Sequence, residues 1–409
     1  MRIYHLVQPY FFAHHHFHRR KIEALRKAGF DAWGLAFIPE KTFQQQKAKY
    51  KECINDGVMK IIRIGNEKNR NTRLIFFFLI ETIIRNGILV HVLRNDPSPL
   101  ITLRKWPFIR KKIKYIIEYE GDTPFELVYQ SAYIEDPRPP IEPPLNIKAA
   151  YDRILKEQKE YVRKADGVLL MSYEQIKLWE DRLTVPLRTC WLPSLSDPSR
   201  IKFDEKKRQE IRNHLGITDK LVLVYVGNAI CKWQRFDKMC SFISNLIKID
   251  SSIWFLAIVR YDDLDLAQES IIRYGLESCT TLQNVSSDEV TNYLSAADIA
   301  LYLRHVHPMN LVVTSGKLGE YLSAGLQLIT TGANAEILNE FIQKKQSGIF
   351  IEDSLEIDDR FISEFKKIKA RSMDTEWRKW LSLEMTKSFG NENDPFCAYV
   401  PFIRDIIEH

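Results

Sequence analysis

Residues 297–332 read ADIALYLRHVHPMNLVVTSGKLGEYLSAGLQLITTG. An apolar, strand-like run ends at Arg304 and a polar loop follows. Helical spacing then begins near Thr314 or Ser315, either of which suits an N-cap. The helix should stop at Gly325, because glycine takes the left-handed conformation of a helix C′ position without a steric penalty. A second β-rich run, 327–331, follows at once. Strand, loop, helix and strand in this order build a parallel sheet with helices packed on its faces. Ligands of such sheets bind beyond the carboxyl ends of the strands.

The same alternation extends in both directions. Upstream within the second half, KLVLVYVG, SIWFLAIV and TTLQNV read as strands, and SGIFI follows the central stretch. The first half offers RIYHLV, DAWGLAF, VMKIIRI, GILVHVL, KYIIEYE, GVLLM and RTCWL. The two series are separated by a proline- and serine-rich loop at 192–198. The fold class is therefore α/β with two Rossmann-like domains, 1–195 and 196–391. A C-terminal helix at 392–409 is expected to pack back on the first.

At 409 residues the chain is too long for one ordinary core. Hydrophobic content of 45% with 27% charged residues excludes a disordered or fibrous chain. The excess of 59 Lys+Arg over 53 Asp+Glu, a net +6, suits anionic small molecules or an acidic membrane surface. It lacks the basic density of a nucleic-acid binder, and none is expected as partner. Six cysteines without a C-x-x-C pair read as reduced thiols in a cytoplasmic protein. The start, MRIYHLVQPYFF, does not have the pattern of a signal peptide. The apolar run 74–84, LIFFFLIETII, is too short to span a bilayer and carries Glu81, so it reads as a buried helix.

Chemistry concentrates around the opening stretch. Lys317 falls in the first turn of the helix, where positive charge is unfavourable unless an anion is present. Arg304 at the strand tip adds a second cation. With Ser315 and Gly316 at the helix start, these residues make a diphosphate clamp. Glu320 lies one turn beyond Lys317 on the same face, where a carboxylate can accept two hydrogen bonds from the vicinal hydroxyls of a ribose. The competing reading is an exposed Lys317–Glu320 helical pair, worth roughly 0.3 kcal/mol. The joint register of Arg304, the capped helix start and Gly325 favours the ligand site. Gly227 ends a strand where a missing side chain admits a phosphate, and Lys232 follows it. Arg260 and Val285 end neighbouring strands and would flank the base.

The first half is read more sparingly. His91, with Arg94, is placed at a strand end, able to orient a sugar hydroxyl or an acceptor; a histidine satisfied inside a strand is the alternative. Glu118, Glu120 and Asp122 end another strand, as acceptor ligands, a base or a solvated loop. His14 and His18 have the spacing of a metal pair, with His15 and His16 between them, but no third ligand pattern accompanies them. Asp263 and Asp265 spell D-x-D within a helix-starting acidic loop. No metal is expected. Residues 103–117 gather basic residues with Trp106 and Phe108, either a membrane-docking element or a solvated basic helix.

The run at 314–329, TSGKLGEYLSAGLQLI, resembles the S-P-x-K-x-x-E-Y-L-A-x-G-x-P-V-I signature of bacterial family 4 glycosyltransferases of the surface-polysaccharide type. The preceding AADIALYLR is similar to the strand before that signature, and Tyr225-Val226-Gly227 followed by Lys232-Trp233-Gln234 extends the likeness. The resemblance implies a GT-B fold, with two Rossmann-like domains facing a central cleft. It further implies a retaining hexosyltransferase using a UDP- or GDP-linked sugar, with a glycan or lipid-linked acceptor, at the inner face of the cell membrane. In such enzymes the glutamate matching Glu320 holds the donor ribose, and the cations matching Arg304 and Lys317 contact the diphosphate. Two positions depart from the pattern: Ser315 replaces the proline, and Val313 stands where many relatives carry a further glutamate near the sugar. Asn310 and His307 are candidates to take its place. A catalytically silent GT-B glycan-binding or transferase-partner protein, and a GT-B sugar-nucleotide epimerase, are the alternatives.

Overall fold

The structure is a computed structural model describing residues 1–7, 15–93, 96–131, 140–193, 201–332, 338–389 and 396–409, with the side chains of 15–18, 49 and 52 left aside. Among the described residues thirteen strands form two sheets, one in each of two compact units. The first sheet holds β1 (Arg2–Leu6), β2 (Asp31–Pro39), β3 (Met59–Ile64), β4 (Ile88–Leu93), β5 (Ile113–Tyr119), β6 (Gly167–Leu170) and β7 (Thr189–Trp191). The second holds β8 (Leu221–Gly227), β9 (Ile253–Val259), β10 (Thr280–Gln283), β11 (Ile299–Tyr302), β12 (Gln327–Thr330) and β13 (Gly348–Phe350). Four helices recur below: α1 (His15–Lys27), α2 (Arg70–Arg85), α3 (Gly316–Ser323) and α4 (Phe396–Glu408).

Strand order is β3-β2-β1-β4-β5-β6-β7 in the first sheet and β10-β9-β8-β11-β12-β13 in the second. Every pair is parallel. Parallel strands are covered on both faces, so they read as continuous apolar runs, and every residue of β4, Ile-Leu-Val-His-Val-Leu, is buried. In both sheets the order reverses beside the first strand, between β1 and β4 and between β8 and β11. Such a switch point opens a crevice at the carboxyl ends. In the first unit residues 8–14 and 94–95, which follow β1 and β4 in the chain, lie outside the described residues, His14 and Arg94 among them. In the second unit the switch point is fully described.

The first unit comprises Met1–Pro124, Lys148–Ser194 and Asp394–His409; the second comprises Phe125–Ile147 and Leu195–Asn393. The chain thus crosses to the second unit before residue 195, at Phe125, and returns. Within the second unit, the Tyr129 ring meets those of His305 and His307 at centroid distances of 6.0 and 5.2 Å. Helix α4 closes the first unit. Its Phe396, Tyr399, Ile403 and Ile406 join Ile22 and Leu25 of α1 in one core layer. A Cβ at Gly167 would lie 2.6 Å from Ile406 Cδ1, so this helix packs against the bare backbone of β6.

Helix α2 differs from the buried helix read at 74–84. It buries Leu74, Phe78 and Thr82 against the sheet but leaves Phe76, Ile80, Ile83 and Ile84 exposed. A helix packed on a sheet is covered on one face only, whatever the composition of the other. Glu81 sits on its flank and accepts a 2.6 Å hydrogen bond from Tyr4 Oη. Among the described residues no helix is long and apolar enough to cross a membrane. The basic stretch 103–117 is likewise not one element. It divides into the end of helix Ser98–Leu103, the short helix Pro107–Arg110 and strand β5.

Candidate functional site

At the switch point of the second sheet, β8 ends in Gly227 and β11 runs out toward Arg304. Helix α3 starts a few residues later at the same edge. Its Tyr321 hydroxyl accepts a 2.9 Å hydrogen bond from the Val226 N–H, tying the helix to the end of β8. Gly227 follows, with φ +150°, and a Cβ there would lie 2.0 Å from Lys317 Nζ. The Lys317 ammonium therefore rests on the bare backbone of Gly227, also 5.1 Å from the Tyr225 ring centroid. Only glycine makes room for it at this position.

Arg304 is buried, with its guanidinium 4.9 Å from the Tyr302 ring centroid. Its Nη2 donates to Ser315 Oγ at 3.4 Å. Ser315 takes the N-cap position of α3, but its side chain makes no cap bond to the helix. Its hydroxyl holds the arginine instead. A third side chain joins them. With its amide oxygen turned inward, Gln234 accepts from Lys317 Nζ at 3.3 Å and from Arg304 Nη2 at 3.1 Å. Gln234 ends the turn Lys232–Gln234 and is buried.

Two cations thus share one neutral oxygen. Desolvation, and then the Arg304 charge, pull the Lys317 ammonium down to about 7, against a smaller opposing effect of Glu320. Glu320 offsets this only in part, and an anion bound beside Lys317 would restore its charge. Arg304 Nε is buried and has no hydrogen-bond partner among the described residues.

The loop over this point is built rigidly. Asn228 Oδ1 accepts from the N–H groups of Ile230 and Cys231 at 3.0 and 3.1 Å. Asp263 Oδ2 accepts from the Ala229 N–H at 2.8 Å. The first carboxylate of the D-x-D is thus a buried loop support, and Asp265 is exposed. Among the described residues no three His, Cys, Asp or Glu side chains are grouped as a metal site would require.

Of the residues singled out in the sequence, the structure brings together Gly227, Arg304, Ser315 and Lys317, with Gly316 and Glu320 on the same helix. Lys232 is exposed, on the turn whose last residue, Gln234, faces the cations. Arg260 is exposed and loosely paired with Asp262 at 3.7 Å; its charge acts on the Cys231 thiol, as do those of Lys317 and Arg304. Val285 lies two residues beyond β10 and packs against the core. His307 caps the short helix Pro308–Leu311, its Nδ1 accepting from the Met309 N–H at 3.1 Å. Asn310 donates to the His305 carbonyl at 2.9 Å. Both residues shape the loop before Val313.

His91 requires a correction. It is not at a strand end but inside β4, 1% exposed. Its Nε2 lies 2.7 Å from Glu118 Oε2, and its Nδ1 lies 3.2 Å from Tyr399 Oη of α4. Glu118 accepts from the buried Lys21 at 2.5 Å through both oxygens, and Tyr399 Oη also meets His5 Nε2 at 3.1 Å. Because its strand neighbours and α4 enclose it, His91 knits the first core instead of facing a ligand. Asp122 is buried and paired with Arg182. The side chains of His15, His16 and His18 lie outside the described residues.

The missed residue is Gln234. Among charged neighbours it carries no formal charge to draw notice. Its one local signal is the following Arg235, which at φ 54° ends the turn in the left-handed conformation and directs the preceding residue inward.

Two open parallel sheets of this order, each in its own unit, with a cationic switch point in the second, define the GT-B fold class. No protein-family model matches the sequence, and no curated protein does. Solved structures share the architecture. Sucrose-phosphate synthase from Thermosynechococcus elongatus is similar at a TM-score of 0.70 and 14% identity, over 100% of this chain and 99% of that one. Anabaena HepE in complex with UDP is similar at a TM-score of 0.66 and 12% identity, over 100% of both chains. WaaG, a glycosyltransferase involved in lipopolysaccharide biosynthesis, is similar at a TM-score of 0.60 and 14% identity, over 99% of both chains.

Proposed function

We propose that this chain is a retaining glycosyltransferase that moves a hexose-like sugar from a UDP- or GDP-linked donor to a glycan or lipid-linked acceptor. The observation that carries this reading is the convergence of Lys317 Nζ and Arg304 Nη2 on one amide oxygen of Gln234, at 3.3 and 3.1 Å. In transfer, the bond from the anomeric carbon to the diphosphate breaks and its electron pair leaves with the phosphate. The acceptor oxygen bonds to that carbon and its proton passes to the departing phosphate oxygen. Fixed cations at the departing diphosphate stabilise the charge as it develops, and in this reading they do so without a metal. Glu320, one turn along α3, would hold the ribose. HepE, solved with UDP and with UDP-glucose, supports a nucleotide-sugar donor. WaaG, named for lipopolysaccharide biosynthesis, supports a surface-glycan pathway. Work on such acceptors would place the protein in the cytoplasm at the inner face of the membrane.

The test is calorimetric titration with UDP, GDP, ADP and dTDP, followed by turnover of the matching sugar donors. One nucleotide should bind, with Lys317→Ala and Glu320→Ala each weakening it by about tenfold or more. Absence of binding by any nucleoside diphosphate would refute the reading. Val313, apolar where a carboxylate would stand near the sugar, favours a second reading: a GT-B protein that binds the donor without turning it over. Nucleotide binding with neither transfer nor donor hydrolysis would select it. Turnover of the donor sugar without acceptor, giving an epimer, would point to an epimerase.

A further inference from the structure

Gln234 and Arg304 come from separate loops, one after β8 and one after β11, yet they meet at 3.1 Å. One residue further along each loop, both are tied to Asp353. Arg235 follows Gln234, and its Nη1 donates to Asp353 Oδ1 and its Nη2 to the Asp353 carbonyl, both at 2.8 Å. His305 follows Arg304, and its Nδ1 lies 3.4 Å from Asp353 Oδ2. The next N–H, that of Val306, donates to Asp353 Oδ1 at 3.4 Å. A single carboxylate, just past β13, thus joins the two loops that carry the shared contact.

The junction is sheltered. The Arg235 side chain is 6% exposed, and a guanidinium so desolvated needs a charged acceptor. Burial acts against the Asp353 carboxylate, but His305 and Arg235 outweigh it and hold its pKa below the ordinary value. Tyr129, itself buried, covers both loops. Its ring centroid lies 6.0 Å from that of His305 and 6.5 Å from that of Trp233, the residue before Gln234. Away from water such an ion pair holds its geometry more firmly than at an open surface. We propose that Asp353 is a positioning residue of the donor site. By holding Arg235 on one loop and His305 and Val306 on the other, it fixes Gln234 and Arg304 at the spacing that receives a nucleoside diphosphate. This role rests on the transferase reading and deepens it, because Asp353 acts through the residues next to the cationic site.

Calorimetric titration of the full chain tests it, with whichever of UDP, GDP, ADP and dTDP binds most tightly and with the matching nucleoside. Asp353→Asn keeps the size of the side chain and removes its charge. The Asp353 side chain is 23% exposed and borders a cavity of about 780 Å³, so the amide is accommodated. The substitution should weaken the diphosphate about tenfold or more and leave the nucleoside within about twofold, since the cations meet only phosphate. In a Gln234→Leu background it should weaken the diphosphate by less than about threefold, because its route to the ligand is already cut. Asp353→Glu, which keeps the charge one methylene further out, should recover part of the loss. Unchanged diphosphate affinity in Asp353→Asn, an equal loss for diphosphate and nucleoside, or full additivity with Gln234→Leu would overturn the role while the transferase reading stands. Failure of the wild type to bind any nucleoside diphosphate would overturn that reading, and the role of Asp353 with it.

Discussion

The Lys317 ammonium sits where a side chain at residue 227 would begin: a Cβ on Gly227 would lie 2.0 Å from Nζ. One strand end and one helix start are thereby made to fit each other, and the cation is held by the absence of an atom. Gly227→Ala should displace the flexible end of Lys317 while leaving the sheet in place. We expect at least about tenfold weaker nucleoside-diphosphate binding by calorimetry, with about 1 kcal/mol lost in denaturant unfolding because alanine is strained at φ +150°.

Lys317 also sets a pH dependence. Its ammonium is drawn down to about 7 in the folded chain, chiefly by desolvation, whereas an unfolded lysine titrates near 10.4. Between those values the unfolded state binds more protons, so folding stability rises with pH through this window. Below pH 7 the buried charge costs its full amount. Lys317→Met should therefore raise the thermal midpoint most near pH 6, with the advantage shrinking toward pH 10. Nucleotide binding at pH 8 should take up a proton, seen as a buffer-dependent enthalpy that Lys317→Met abolishes.

Gln234→Glu places a carboxylate between the two cations. It should raise the thermal midpoint of the ligand-free protein and weaken nucleotide binding by about tenfold or more, because the site then carries its own anion. Gln234→Leu should lower both, since Lys317 and Arg304 lose the oxygen they share. The opposite signs on stability separate counter-charge from mere packing.

Glu118 keeps Lys21 and His91 compatible with burial in the first core. Lys21 and the His91 ring hold its carboxyl well below the usual carboxylate range, against the opposing effect of desolvation. Its stabilising contribution is complete above the unfolded carboxylate pKa and is lost as pH falls below it. Glu118→Gln leaves the Lys21 ammonium uncompensated and should cost about 3–5 kcal/mol in denaturant unfolding. His91→Phe should cost stability through the lost Tyr399 contact yet leave nucleotide affinity unchanged. A changed affinity would return His91 to the ligand site.

Much was legible in advance. Each of the thirteen expected strand segments contains a strand, because parallel strands covered on both faces leave unbroken Val, Ile and Leu runs. The start of α3 after Ser315 and its stop at Gly325 were equally plain, since caps and left-handed stops are local chemistry. Arg304 and Lys317 stood out by charge at the ends of such elements. Gln234 did not, because a neutral amide becomes significant only when two distant cations fold onto it. His91 was misplaced by a few residues along its strand, enough to turn a surface position into an interior one.

By itself, the order of residues determined the alternation of strand and helix, the boundaries of α3 and the cationic character of its start, all of which depend on neighbours a few positions apart. Tertiary structure alone decided which strand ends adjoin and that Lys317 lies on Gly227, 90 residues away in the chain. It also decided that α4 seals His91 inside the first core and that the apolar face of α2 stays uncovered. The reason is that pattern records what a residue requires locally, whereas the partner that meets the requirement is chosen by the sheet order and by the helices packed upon it.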